Sequence, residues 1–319
     1  MKRVINFLGL GFDLGQTRKG LKRSPDEIRP FFPLLQELGL WIDDRGDVEQ
    51  QSGTLRQIFS SEQLQACSWY DYRKAYDLIR RLLMQRSTLL NWGGDHSVGL
   101  STVGAFCSRH PNGMVLWIDA HADLNLPEHS PTGNFHGMPL SILLNLENVR
   151  EKYFPWIDGH LAPERLIYVG LRDIDPFEKE TLEKLKIRCF WNSEIQKRGM
   201  TSIAKEVFQS LGGRPLHISF DIDCANPEIA PATGVPVPSG LSLADLKILG
   251  ETLSKHPNLS SMDVVEINPE LGSEPEVLRT QMAALHFLTS VFIQGGTHDE
   301  LGRTDPPFRS APLEPNLQI

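Results

Sequence analysis

Apolar positions along the chain fall into two kinds of run. Short continuous runs rich in Val, Ile, Leu and aromatic residues predict buried strands at 4–10 (VINFLGL), 87–92 (STLLNW), 114–119 (MVLWID), 165–171 (RLIYVGL), 186–191 (KIRCFW), 215–221 (PLHISFD) and 262–268 (MDVVEIN). Longer amphipathic runs between them predict helices, among them 24–39, 72–86, 175–186, 242–256 and 279–294. Ser24 stands where the first of these needs an N-cap, with Pro25 at its first position, and Gly295-Gly296 closes the last. Strand–helix alternation with strands apolar on both faces predicts an α/β fold with a mostly parallel sheet covered on both sides. No repeat or long linker divides the chain. Residues 1–296 therefore read as one domain, followed by a polar, proline-rich tail at 297–319.

Composition narrows the class without changing the fold. The 319 residues are 40% hydrophobic and 23% charged, ordinary for a globular protein with a core of its own. A net charge of −8 argues against nucleic acid or an anionic membrane as the main partner. Cys67, Cys107, Cys189 and Cys224 lie in or beside apolar segments, with no C-x-x-C pair, and read as free thiols. The first residues lack the apolar core and cleavage site of a secretory signal. No apolar stretch approaches the roughly 20 residues that span a bilayer. A cytoplasmic location follows as the expectation. Gly9, Gly11 and Gly15 follow the first strand, but their spacing is not G-x-G-x-x-G and no helix start comes next, so dinucleotide binding is not expected.

The chemistry sits where strands end. In DAHADLN (119–125), Asp119, His121 and Asp123 stand two apart, a spacing that turns side chains to one face of an extended chain. GGDHS (93–97) places Asp95 and His96 after two glycines that allow a tight turn, SFDID (219–223) ends in Asp221 and Asp223, and DVVEIN (263–268) carries Glu266. Ligands of open α/β sheets bind outside the carboxyl ends of the strands. Pooled there, His96, His121 and four aspartates would repel one another unless cations neutralise them. Too few ligands exist for two separate closed sites, so shared carboxylates bridging two ions are expected. Such a donor set favours Mn²⁺, Fe²⁺ or Zn²⁺ over Mg²⁺, and the lack of cysteine in it weakens the case for zinc.

These segments resemble the ureohydrolases: arginase, agmatinase and formimidoylglutamase. The resemblance rests on GGDHS (93–97), DAHADLN (119–125) and SFDIDCANPEIAPATGVPVPSGLS (219–242), and runs over about residues 4–296. It implies a three-layer α/β/α sandwich around a parallel sheet of about eight strands, and two Mn²⁺ per chain. One ion would be held by His96, Asp119, Asp123 and Asp221, the other by His121, Asp119, Asp221 and Asp223. TGNFHGMPLSILL (132–144) and GLRDIDPFE (170–178) resemble arginase rather than its relatives. On that resemblance Asn125, Thr132 and Asn134 meet a substrate α-carboxylate, with Thr132 keeping the hydroxyl of a common Ser, and Asp173, Asp175 and Glu178 lie near the α-amino group. A site built for both ends of an amino acid leaves polar groups unpaired with agmatine, which favours L-arginine.

The implied reaction is hydrolysis of L-arginine to L-ornithine and urea by attack of a metal-bridging hydroxide. Glu266 would hold the guanidinium, Asp123 would take up the hydroxide proton, and His136 would pass a proton to the leaving amine. Two positions depart from the family pattern: Asn226 replaces an Asp, and Val235 replaces a Thr. They leave open an amidinohydrolase acting on agmatine or another guanidino compound, and a metal-bound binding or regulatory protein with weak turnover. A binuclear phosphoesterase is disfavoured because no Arg or Lys cluster accompanies the metal motifs. Family members commonly form trimers or hexamers, so a homo-oligomer is expected. His110, His160, His217, His256, His286 and His298 have no comparable neighbours in sequence and read as surface or structural.

Overall fold

Alternate residues of the central strands enter two different cores. Leu116, Ile118, Ile218, Phe220, Met262 and Val264 join one apolar cluster. Val115, Trp117, Leu89 and Tyr168 join the other. Strands buried on both faces need apolar side chains at every position, which is why they read as continuous runs. The computed structural model describes residues 3–50 and 69–293. Its strands are β1 (Arg3–Gly11), β2 (Leu40–Glu49), β3 (Thr88–Trp92), β4 (Met114–Ile118), β5 (Leu166–Val169), β6 (Arg188–Phe190), β7 (Leu216–Asp221) and β8 (Leu259–Val265). They form one eight-stranded sheet in the order β2-β1-β3-β8-β7-β4-β5-β6. Every pairing is parallel.

Helices Tyr70–Leu82 and Gly99–Arg109 cover one face through Tyr72, Tyr76, Ile79 and Phe106. Met200–Leu211, Leu243–Leu253 and Glu274–Phe292 cover the other through Val207, Leu246, Leu249 and Phe287. The result is the α/β/α sandwich with its core split between the two faces. No helix among the described residues is long and apolar enough to cross a membrane.

Local chemistry accounts for the departures from expectation. The helix expected at 24–39 is divided into Ser24–Ile28, a 3₁₀ turn Arg29–Phe31, and Phe32–Glu37. Pro30 and Pro33 each lack an N–H to donate and sit at the start of a new segment. Ser24 does not cap: it is the first helical residue, and its buried Oγ accepts a bond from Trp92 Nε1 at 3.1 Å. β2 was not anticipated, because only Leu40 and Val48 of this edge strand are buried and its middle, DDRGD, is charged. The last helix ends at Phe292, and Gly295-Gly296 and the tail from 297 lie outside the described residues. Cys107 and Cys224 are buried free thiols, Cys189 is half-buried and free, and Cys67 lies outside the described residues.

His217, one of the histidines read as surface or structural, is buried and structural. Its Nε2 lies 3.1 Å from Asp263 Oδ2 and its Nδ1 2.8 Å from Ser261 Oγ, with both His217 and Asp263 fully buried. Asn91 Nδ2 donates to Asp263 Oδ1 at 2.7 Å, and Thr102 Oγ1 donates to Oδ2. This network pins β3, β7 and β8 to the helix above them, directly beneath the strand ends that carry the chemistry.

Candidate active site

β3, β8, β7 and β4 are consecutive neighbours in the sheet, so their carboxyl ends lie side by side. Past β3, Gly93 and Gly94 adopt φ of +91° and +82°. A Cβ on Gly94 would fall 2.8 Å from the Leu10 carbonyl oxygen, so only glycine lets the chain turn there. The turn delivers His96. Asp95 faces away from it: Oδ2 accepts from Gly15 N at 2.7 Å and Oδ1 from Ser97 N at 3.1 Å. Asp123 (φ +50°) and Glu266 (φ +64°) both hold left-handed backbone, a strained state for non-glycine residues that tends to mark functional sites. Backbone bonds fix both, from Leu140 N to Asp123 O at 3.1 Å and from Glu266 N to Gly94 O at 3.0 Å.

The buried His96 ring is the centre of the cluster. Asp119 Oδ2, Asp123 Oδ2 and Asp221 Oδ2 lie 2.9, 3.0 and 3.0 Å from its Nδ1. Among the described residues neither His96 Nδ1 nor Asp123 Oδ2 has a hydrogen-bond partner, so the oxygens converge on the nitrogen without bonding to it. Nε2 on the far side lies 2.9 Å from Ser219 Oγ, and the ring stacks on Trp117 at 3.9 Å. With Nε2–H given to Ser219, Nδ1 presents its lone pair to the carboxylates. His121 is placed similarly, its Nδ1 3.0 Å from Asp223 Oδ2 and 3.5 Å from Asp119 Oδ1. Two compact donor groups result: His96, Asp119 and Asp221, and Asp119, His121 and Asp223. Asp119 is common to both.

Electrostatics explain why these groups call for cations. Burial, then Asp223 and Asp119, push Asp221 well above the usual carboxylate range. Burial and Asp119 also raise Asp123. Asp223 is pushed up to about 6 by burial and Asp119, against the opposing pull of His121. Burial opposes charge on Asp119 as well, but the adjacent His121 and His96 outweigh it and hold its pKa well below the ordinary value. Part of the cluster can ionise only at the expense of the rest. Divalent cations at the two donor groups remove that conflict, and an orphaned imidazole nitrogen amid three carboxylate oxygens fits one.

A cleft of about 210 Å³ opens above the cluster. His121, Asp123, Asp221 and Asp223 face it from below. Asn125, Thr132 and Asn134 line it, as do Asp173, Asp175 and Glu178, so the sequence-predicted substrate residues do meet around one space. Several already have partners. Asn125 Nδ2 donates to Asp175 Oδ2 at 2.7 Å, and Thr132 Oγ1 accepts from Asn134 N at 3.2 Å. Glu178 is buried with both oxygens on backbone amides, Leu124 N and Asp175 N, each at 2.9 Å. It forms a capping box with Asp175 on helix Pro176–Leu185, and burial pushes its pKa up to about 7. Of the two departures, Val235 stands exposed at the cleft, and Asn226 Oδ1 closes a turn by accepting from Glu228 N at 3.1 Å.

His136 also lines the cleft, and Glu266, 2% exposed, lies behind it. His136 Nδ1 is 2.8 Å from Glu266 Oε1, which also accepts from His96 N at 2.9 Å. Burial disfavours a charge on His136, but Glu266, Asp95 and Asp123 together raise its pKa to about 9. Sequence reasoning missed Trp117, Ser219 and Gln16. Trp117 Nε1 donates to Asp119 Oδ2 at 2.9 Å. Trp117 and Ser219 stand two residues before Asp119 and Asp221, on the same strand faces, so the period-2 rule contained their signal. Gln16 had none, since its partner Glu266 is 250 residues away.

A parallel sheet whose adjacent strand ends gather two histidine–carboxylate groups under a polar cleft defines a metal-site hydrolase class. Residues 3–293 match the arginase family. The chain belongs to that family of hydrolases, which act on guanidino or amidino groups. It is 33% identical to arginase-1 of Bos taurus over 316 residues, covering 95% of this chain and 98% of that protein. The crystal structure of arginase from Bacillus cereus superposes with a TM-score of 0.80 at 28% identity, covering 92% of this chain and 99% of that one. Arginase from Entamoeba histolytica, solved in complex with L-ornithine, superposes with a TM-score of 0.78 at 27% identity, covering 91% and 98%.

Proposed function

We propose that this protein hydrolyses L-arginine to L-ornithine and urea with two Mn²⁺ per chain. The observation that carries the reading is the pair of donor groups sharing Asp119, with His96 Nδ1 unpartnered among three carboxylate oxygens. His96, Asp119, Asp123 and Asp221 would hold one cation. His121, Asp119, Asp221 and Asp223 would hold the other. When bound, the cations supply an activated water as nucleophile near neutral pH.

The chain's own residues do the rest. Asn125, Thr132 and Asn134 bind the α-carboxylate, and Asp173 and Asp175 attract the α-amino group. The L-ornithine complex of the Entamoeba histolytica arginase supports an amino acid in this cleft. Glu178 acts by fixing the Asp175 cap and the Leu124 amide rather than by direct contact. The guanidinium takes the place of His136 on Glu266 Oε1, where a charge-assisted hydrogen bond replaces the one lost. Freed, the protonated His136 ring turns to the leaving amine and gives it a proton. Asp123 accepts the proton released by the attacking water.

Urea release from the Mn²⁺-loaded protein, with L-arginine, agmatine and 4-guanidinobutyrate compared and metal counted on the same sample, tests the proposal. Urea from L-arginine alone is expected. Asn134→Ala should then weaken arginine binding more than agmatine binding. Urea from another guanidino compound would keep the metal chemistry and overturn the substrate. No urea from any of the three, with two metals bound, would leave a binding protein.

A further inference from the structure

We infer that Gln16 is a positioning residue that orients Glu266 for the guanidinium group. The inference rests on the reading of Glu266 given above. Gln16 lies in the loop after β1, far in sequence from every metal motif, and is only 6% exposed. Its Nε2 donates to Glu266 Oε2 at 2.6 Å and stands 3.5 Å from His136 Nδ1. Glu266 thus has two oxygens with different fates. Oε1 holds His136, the partner that substrate displaces, beside the His96 backbone amide, and Oε2 holds Gln16, a neutral side-chain donor that substrate has no reason to displace. A buried carboxylate that must exchange one partner keeps its direction through the donors that stay, and Gln16 is the side-chain donor among them.

The rest of the loop is built to hold that amide still. Gly15 N donates to Asp95 Oδ2 at 2.7 Å, and Gly15 O accepts from His136 N at 3.0 Å. Asp13 N and Leu14 N both donate to Gln50 Oε1, at 3.1 and 3.0 Å. Across the site, Gly234 leaves the space the amide needs. A Cβ there would lie 2.6 Å from Gln16 Oε1, and Gly234 has no positive φ to make the substitution strained in itself. Gly234 is therefore a second handle on the same contact.

The test uses the Mn²⁺-loaded full chain and three readouts: urea kinetics, metal count, and L-ornithine binding by calorimetry. Gln16→Met keeps the volume and removes the donor. It should lower kcat/KM for L-arginine by about 10- to 100-fold, the loss that follows removal of one hydrogen bond to a charged group. Metal content and L-ornithine affinity should not change, since ornithine has no guanidinium to present to Glu266. Gly234→Ala should reproduce part of the loss. In a Gln16→Ala background the same change should cost nothing more, because the group it pushes is gone. An active wild type with unchanged kcat/KM in Gln16→Met would overturn the inference alone. Parallel loss of metal or of ornithine binding would reassign Gln16 to scaffold. A wild type that releases no urea from any guanidino compound would overturn the functional reading and this inference with it.

Discussion

His136 carries the clearest pH signature of any single residue here. Its folded pKa of about 9 lies above the ordinary histidine value of about 6.5, with burial opposing and Glu266 dominating the rise. A raised pKa means that the His136–Glu266 pair stabilises the fold fully below about pH 6.5 and loses that contribution as pH climbs through about 9. Metal-free wild type should therefore lose its Tm advantage over His136→Asn across that window; parallel curves would refute the pairing. Bound cations neutralise the nearby carboxylates and should narrow the window. Ser219 makes a different demand. Removing its bond to His96 Nε2 leaves the ring free to turn, so Ser219→Ala should weaken metal affinity by about 10- to 100-fold, with turnover recovering at saturating Mn²⁺. A metal titration that coincides with wild type would sink that role. The candidate metal-ligating residues were legible in the sequence because each sits in a short dense motif, and His136 was singled out by the family resemblance. Ser219 was legible only in principle, as a polar residue in phase with Asp221.

Among the elements, β8 depends on a buried polar contact. Asp263 accepts from Asn91 and Thr102 and faces His217, all fully or almost fully buried. Burial opposes its charge, yet His217 and these bonds hold its pKa below the ordinary value. Asp263→Ala would strand a buried imidazole and two donors, and should destabilise the fold by about 3–5 kcal/mol in urea unfolding. A loss under about 1 kcal/mol would show that the network repacks or fills with water. All seven expected strands are present because buried parallel strands advertise themselves as apolar runs. β2 did not, because an edge strand is protected from mispairing by the same charges that hide it. Arg29 bonds Asp44 and Asp47 on that strand at 2.8 and 2.6 Å, contacts that exist only once the sheet has formed.

At the scale of the whole molecule, function competes with stability at one end of the sheet. Asp119, Asp123, Asp221, Asp223 and Glu266 are buried together there. Without counter-ions such a cluster strains the fold, so ions that bind the native state and not the unfolded chain should stabilise it by mass action. Chelation should lower Tm by several degrees, and Mn²⁺ should restore it in a concentration-dependent way. A Tm indifferent to both would mean that the clusters do not bind metal in the folded chain.

Fold class, family and the inner ring of the candidate site were legible in the sequence. Those depend on local patterns: apolar runs for buried strands, and residues two apart for side chains on one face. Which strand ends became neighbours was settled by packing, since the order β3-β8-β7-β4 joins segments that are distant in the chain. It alone brought Gln16 to Glu266 and His217 to Asp263. The physical reason is that a pattern within one segment constrains that segment's faces. A contact between segments exists only after packing has chosen which faces meet.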